Sequence, residues 1–274
     1  MKIITLVENT SISEKFDYEH GLCLYIETDK HKLLFDVGAS SLFVENAKKM
    51  DVDLSDVDLV VLSHGHYDHG GGIEAFLDLN TKAKIYMNQK SFDKHYSKRA
   101  TGENVYIGLN RSLLPNDRFV FIEKDWVIDE ELELFSGIKG KKFYSRGNQR
   151  LLMESGDGVI EDDFAHEQNL LIYEGTKIVL IAGCAHKGIV NILSQMEQEK
   201  KKVASHVIGG FHLYNHSANT IEELSLIDDI GNYLIHTPSN YYTCHCTGIV
   251  PYNRLREIMN NKIQYLATGS QIVI

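Results

Sequence analysis

The chain predicts a layered α/β architecture: two mixed β-sheets with helices on the outside. Three observations support it. Early strand-like segments follow one another in meanders, whereas later ones alternate with helical stretches. With 274 residues, 43% of them hydrophobic, the chain can fill a substantial core. Several short apolar runs also end abruptly in turns of Gly, His, Asp or Cys, as strands do when they deliver side chains to one edge of a sheet.

In chain order, Ile3 to Val7 reads as a strand. Leu22 to Glu27 and Lys32 to Phe35 alternate around "TDKH" and read as a hairpin. "DVGAS" turns the chain, with Asp36 and Gly38 in the turn, and Ser41 to Met50 follows as a short helix. Val57 to Leu62 is a strand that runs into a histidine-rich loop. Gly70 to Gly72 then lets the backbone pass close to that loop before a helix at Ile73 to Leu79. Ala83 to Met87 is a strand. From about residue 88 to 165 the pattern is irregular, with strands near Phe119 to Glu123 and Glu131 to Phe135. Having neither linker composition nor low complexity, this stretch reads as an elaboration on a single domain spanning residues 1–274.

Beyond it, Asn169 to Tyr173 and Lys177 to Ala182 form a hairpin around "EGT". A helix from Gly188 to Lys201 ends in lysines that suit its C-terminus. A strand at Val203 to Ile208 leads to a helix at Thr220 to Tyr233, with Thr220 as cap and Glu223 three residues on. A strand at Asn240 to Thr243, a helix at Pro251 to Met259 and short closing strands complete the chain.

Composition narrows the function. A net charge of −10 argues against general nucleic-acid binding. No stretch is long enough to span a bilayer, and the N-terminus turns polar too soon for a signal peptide, so a cytoplasmic protein is expected. The four cysteines, none in a C-x-x-C pair, are expected as thiols rather than disulfides or a zinc knuckle.

Residues 64–69, His-Gly-His-Tyr-Asp-His, place three imidazoles and a carboxylate within six positions after the apolar run Leu59 to Leu62. On an extended segment alternate side chains share a direction, so His64 and His66 can face one cation. The turn at Asp68 and His69 can supply a second cation nearby. This pattern predicts a two-metal hydrolytic centre.

The segment "LVVLSHGHYDHGGGI" resembles the signature of the metallo-β-lactamase superfamily, and "LLFDVGAS" resembles its early strand–turn element. The motifs "HEQNLLI", "IAGCAHKGIVNIL", "VIGGFHL" and "CHCTG" follow in an order similar to the subfamily described as like dihydropterin-ribofuranosylaminobenzene-phosphate synthases. The resemblance implies a four-layer αβ/βα sandwich with the site at one edge of the packed sheets. His186, past the apolar run Ile178 to Ala182 and the turn Gly183 to Ala185, is assigned to the first metal beside His64 and His66, and His245, just past a strand in "TCHCTG", to the second beside Asp68 and His69. His166 can stand in for His186. His212, after a glycine pair, suits substrate contact or proton transfer, and it and Asp68 are the catalytic candidates. Many superfamily members carry a bridging acid after the "IAG" strand; here Cys184 stands at that turn, which leaves either a weak second site or two metals bridged only by water or hydroxide.

Alternation points Cys244 and Cys246 away from His245, toward packing, with a thiolate at the metal as the alternative, since a deprotonated Cys is a strong ligand. His20, His31, His95, His216 and His236 lie in polar surroundings and are expected on the solvated surface, with His206 in the core. Asp36 is a candidate to orient a ligand imidazole.

The expected cofactors are two divalent ions, Zn first, with Fe or Mn also suited. The span Lys82 to Arg118 holds eight basic and three acidic residues, and "IKGKKFYSRGNQR" adds five basic residues with no acid. Both stretches can attract a small anionic substrate to the site, or simply balance an acidic surface. Phe92, Tyr96, Tyr106, Phe143 and Tyr144 interleave there and can stack on a flat ring or pack in the core. The leading expectation is a metal-dependent hydrolase of a small phosphoester or phosphodiester. The alternatives are a pterin-linked transferase or synthase, and a redox or non-catalytic metal protein. Oligomeric state is left open.

Overall fold

The computed structural model describes residues 1–156 and 158–274. Two seven-stranded sheets face each other. The first runs Gln271–Val273, Lys2–Val7, Cys23–Glu27, Lys32–Phe35, Leu59–Val61, Lys84–Asn88, Phe119–Ile122. It is antiparallel through the early meander and parallel from Lys32–Phe35 onward. The second runs Ile263–Tyr265, Asn240–Thr243, His206–Gly209, Lys177–Ile181, Gln168–Glu174, Leu132–Ser136, Trp126–Val127. Its first four strands are parallel and the rest antiparallel.

Three apolar layers hold the four structural layers together. Between the sheets lie Ile3, Leu24, Phe35, Val61, Leu134, Leu170, Ile181 and Ile208, all essentially inaccessible. Each such side chain contributes roughly 1.5–3 kcal/mol on burial, as an upper bound. The helices Leu42–Lys49 and Ile73–Leu79 bury Phe43, Ala47, Ile73 and Phe76 on the outer face of the first sheet. The helices Ile189–Lys200, Leu224–Ile235 and Ile249–Met259 cover the second with Ile192, Met196, Ile227, Leu234 and Leu255. This is the four-layer αβ/βα sandwich expected. No helix among the described residues is long and apolar enough to cross a membrane.

Two elements differ from expectation. Thr220 does not cap a helix: Thr220–Ile221 pairs with Tyr214–Asn215 as a short ladder, and the helix begins at Leu224. The cause is tertiary. Glu222 donates its N–H to the Leu213 carbonyl, and its carboxylate accepts from Ser145 Oγ and Gly147 N, so the chain stays extended through it. The irregular stretch 88–165 is also shared out among sheets. Phe119–Ile122 extends the first sheet, while Trp126–Val127 and Leu132–Ser136 extend the second. A separate four-stranded sheet, in the order Gly158–Glu161, Leu151–Ser155, His95–Lys98, Asn104–Tyr106, takes the remaining strands.

Candidate metal centre

Site residues from both sheets emerge just past the C-terminal ends of strands, where the paired sheets open a cleft. Glu8 and Asn9 follow Lys2–Val7, Asp36 follows Lys32–Phe35, and His64 to His69 follow Leu59–Val61. Cys184 and His186 follow Lys177–Ile181, His212 follows His206–Gly209, and His245 follows Asn240–Thr243. Turning so tightly after a strand puts several of these residues in the left-handed region: Asp36 at φ 61°, His212 at 49° and His245 at 51°. Gly65 is needed for a different reason. A Cβ there would lie 2.2 Å from the Ser91 carbonyl oxygen, so only glycine lets the loop lie on that backbone.

His64, His66 and His186 form one group. His64 Nε2 stands 3.0 Å from His66 Nδ1 and 3.4 Å from His186 Nε2. His69, His245 and Asp68 form another. His69 Nε2 lies 3.1 Å from His245 Nε2, and Asp68 Oδ2 is 3.8 Å and 3.4 Å from those two nitrogens. The six residues singled out in the sequence are therefore brought together in two adjoining groups.

Hydrogen bonds fix the tautomers of His69, His245 and His64. Asp36 accepts from His69 Nδ1–H at 2.6 Å, so His69 Nε2 carries a lone pair whenever that ring is neutral. Asn9 Oδ1 accepts from His245 Nδ1–H at 2.8 Å, and the Asn9 amide, donating to the His245 carbonyl, cannot flip. Ser63 gives its O–H to Asp36 and so accepts from His64 Nδ1–H, leaving the His64 Nε2 lone pair free. With both rings neutral, His69 and His245 would thus turn lone pairs toward each other across 3.1 Å, while His64 Nε2 aims a lone pair toward His66 Nδ1 at 3.0 Å and His186 Nε2 at 3.4 Å. A tetrahedral ion with bonds of about 2.0–2.1 Å sets its ligand nitrogens about 3.3 Å apart, so these residues fit one.

Electrostatics separates the two groups. Burial, joined by repulsion from neighbouring imidazoles, lowers the pKa of His64 and His186 well below the ordinary value; burial does the same for His66. Those three rings are neutral and available as ligands. Burial also works to lower His69, but Asp36 and Asp68 outweigh it and raise its pKa. For Asp68, burial acts upward, and His69 with His20 and His245 more than reverses it, so Asp68 stays a carboxylate.

Cys184 lies between the groups, its Sγ 3.2 Å from His69 Nε2. It forms candidate ligand sets with His64 and His69, with His186 and His212, and with His245 and Cys246. Burial raises the Cys184 pKa. Burial also acts upward on Cys246, but contacts with Cys184 and His212 and the nearness of His245 reverse it, making Cys246 the more acidic of the pair. Cys246 is thus not mere packing: it borders the cleft and accepts the His212 N–H at 3.3 Å. Cys244 is packing, buried in the inter-sheet core. His212 meets His186 edge-on at 4.3 Å, with both its ring nitrogens buried and unpartnered.

The cleft, about 400 Å³, is lined by His20, Tyr67, Asp68, Arg99, His212 and His245 among others. Three histidines expected on the surface are placed otherwise, two of them in this cleft. His20 Nε2 is 3.2 Å from Asp68 Oδ2, and His216 stacks on His20 at 4.1 Å. His95 is buried and paired with Asp162 at 2.7 Å. The sequence offered little warning, because His20 and His216 sit in polar loops that only folding carries to the cleft. His31 pairs with Asp129 away from the site, His236 is exposed, and His206 is only half-buried. His166 turns from the cluster, accepting Gly65 N–H at Nδ1 and contacting Asp162 through Nε2.

Of the two basic stretches, Arg99 alone reaches this cleft. Lys94 pairs with Glu154 and Lys139 with Glu199, while Arg118 caps backbone carbonyls. None of the five aromatic residues expected to stack on a ring lines the cleft among the described residues. Phe92 is core, and Tyr96 packs against Tyr106.

The family model for the metallo-β-lactamase superfamily matches residues 17–231. The chain belongs to the metallo-β-lactamase superfamily. Within it, the chain is 28% identical over 260 residues to an uncharacterized protein of Methanocaldococcus jannaschii, covering 93% of this chain and 94% of that one. It is 25% identical over 295 residues to that organism's 7,8-dihydropterin-6-methyl-4-(β-D-ribofuranosyl)-aminobenzene-5'-phosphate synthase, covering 99% and 96% of the two chains. Tm1679, described as a metal-dependent hydrolase of the β-lactamase superfamily, superposes with a TM-score of 0.82 at 28% identity, covering 100% of this chain and 99% of that one. The superfamily fold here thus carries histidine–aspartate clusters able to hold metal.

Proposed function

We propose that this superfamily member is a metal-dependent hydrolase with a two-cation centre acting on a small anionic substrate, a phosphoester or phosphodiester. One observation carries the reading: five imidazoles and one carboxylate, all buried, converge at ligand spacing in two adjoining groups. His64, His66 and His186 would hold one ion, and Asp68, His69 and His245 the other, with the Cys184 sulfur between them. Zinc suits this nitrogen-rich, sulfur-bearing donor set best. Divalent ions held there would make water nucleophilic near neutral pH and polarise the oxygen under attack.

The chain's own groups divide the remaining work. Arg99, with no carboxylate partner among the described residues, offers its guanidinium to a substrate anion in the cleft. His212, half-buried beside His186 at the edge of the first group, would pass a proton to the leaving group. Asp36, Asn9 and Ser63 orient the ligand rings. The acidic chain and its four buried free thiols suit a reducing cytoplasm.

A second reading, a synthase acting on a pterin-linked compound, draws on a different feature. A groove of about 640 Å³ adjoins the cleft, sharing His20, Tyr214, His216 and His245, and is walled by Tyr18, Ile249, Val250, Pro251 and Tyr265. Such a wall suits the face of a flat aromatic ring. A non-catalytic metal protein is the third reading.

The test is metal analysis of protein purified without chelator, with turnover of bis(p-nitrophenyl) phosphate in Zn²⁺ or Mn²⁺. Two equivalents of metal with turnover, both lost in His66→Ala and kept in His236→Ala, is the expected result. His216 is no neutral control, since it stacks on His20. Equal metal content in the two variants would refute the ligand assignment. Tight pterin binding without hydrolysis would favour the synthase.

A further inference from the structure

Behind His66, on the side away from the cleft, lies a buried group that the two-cation reading leaves unused: His95, Asp162 and His166. All three come from the four-stranded sheet or the loop that follows it. The hydrogen bonds fix the protons. Asp162 Oδ2 accepts from His95 Nδ1–H at 2.7 Å. His166 accepts Gly65 N–H at Nδ1, at 2.9 Å, so its Nε2 holds the proton directed at the same carboxylate at 3.3 Å. A neutral His95 thus ends in a lone pair on Nε2, and that atom is buried without a partner.

The opposite need exists on His66. If its Nδ1 faces a cation beside His64 Nε2, its Nε2 must carry the proton. That nitrogen too is buried without a partner. The two rings meet edge-on at 5.5 Å between centroids, and the candidate ligand atoms of His66, His95, Asp162 and His166 all lie within 4.8 Å of one another. One orphan must donate and the other must accept.

We propose that His95 is a positioning residue: it accepts the His66 Nε2–H in the metal-loaded protein, and Asp162 anchors it from behind. The row Asp162–His95–His66 then holds His66 in the tautomer that presents Nδ1 to the cation. It lengthens by one imidazole the familiar arrangement in which a carboxylate backs a metal-binding histidine. The four-stranded sheet thereby becomes part of the metal site's frame. The inference rests on the two-cation reading above.

Two measurements test it. In zinc-loaded wild-type protein, long-range ¹H–¹⁵N correlation of the histidine rings should find His95 protonated at Nδ1 only and His66 at Nε2 only. A proton on His95 Nε2, or a metal bound to His95, overturns the proposal. Chelator competition, run at a temperature where circular dichroism shows the metal-free variant folded, should show zinc affinity in His95→Phe reduced about 10–100-fold, with the same number of zinc equivalents. Unchanged affinity overturns the proposal. So does a fall from three zinc equivalents to two, which would make these residues a third cation site. Should His95→Phe not fold, the ring spectra of the wild-type protein decide. Failure of wild-type protein to take up zinc would sink the two-cation reading and this inference with it. Zinc uptake with His95 in the wrong tautomer sinks the inference alone.

Discussion

Asp36→Asn probes how strongly the second ligand group is held from behind. The Asp36 side chain is fully buried, with Oδ1 accepting Ser63 N–H at 2.7 Å and Oδ2 accepting Ser63 O–H at 2.8 Å and His69 Nδ1–H at 2.6 Å. Asparagine matches it in shape and tolerates the left-handed backbone at φ 61°, so neither packing nor strain should dominate. It has only one acceptor oxygen. With that oxygen toward His69, the amide NH₂ faces Ser63 N–H, donor against donor; flipped, it faces His69 Nδ1–H instead.

A hydrogen bond to a charged acceptor is worth about 1.5–3 kcal/mol, and leaving a buried donor unpaired costs a similar amount. We therefore expect metal-free Asp36→Asn to lose about 2–4 kcal/mol in urea unfolding. Because His69 also loses its orienting partner, zinc affinity at its group should fall about 10–100-fold in chelator competition. That is about 1.4–2.7 kcal/mol. A variant within about 0.5 kcal/mol of wild type in stability, with unchanged zinc affinity, would refute the claim that Asp36 positions His69.

Two further outcomes are expected. Gly65→Ala drives a Cβ to 2.2 Å from the Ser91 carbonyl oxygen, so the loop must shift; zinc binding measured by competition should weaken at His64 and His66, and wild-type affinity would show the loop to be compliant. Glu133 gives an acid-stability signature far from the site. Burial acts to raise its pKa, but Lys200 at 2.6 Å, Tyr173 and Lys202 at 3.1 Å pull it from 4.5 to about 2. A group depressed on folding stabilises the protein above its unfolded pKa, and this contribution disappears as pH falls through the folded value. Glu133→Gln should thus cost about 1–2 kcal/mol at pH 7, after screening, and flatten the loss of stability between about pH 4.5 and 2. An unaltered acid limb would show that the lysines do not hold Glu133.

The sequence by itself determined the strand periodicity, the layered class and the local ligand run at residues 64–69, because these depend on neighbours in the chain. His186 and His245 were also legible, each standing just past the end of a strand. Tertiary structure decided the rest. His20, His95, His216 and Asp162 gain their roles from partners dozens or hundreds of residues away, and in the sequence each is only a polar residue among others. Alternation favoured packing for Cys246 over the metal thiolate also open to it, but alternation ceases to hold once the chain leaves the strand: a tight helical turn at His245–Thr247 swings its sulfur to the cleft. The helix expected from Thr220 shows the same limit, since capping propensity yields when Glu222 has a better use for its hydrogen bonds elsewhere. Local pattern sets what a segment prefers, but only the packed fold decides which distant groups meet and which protons they must share.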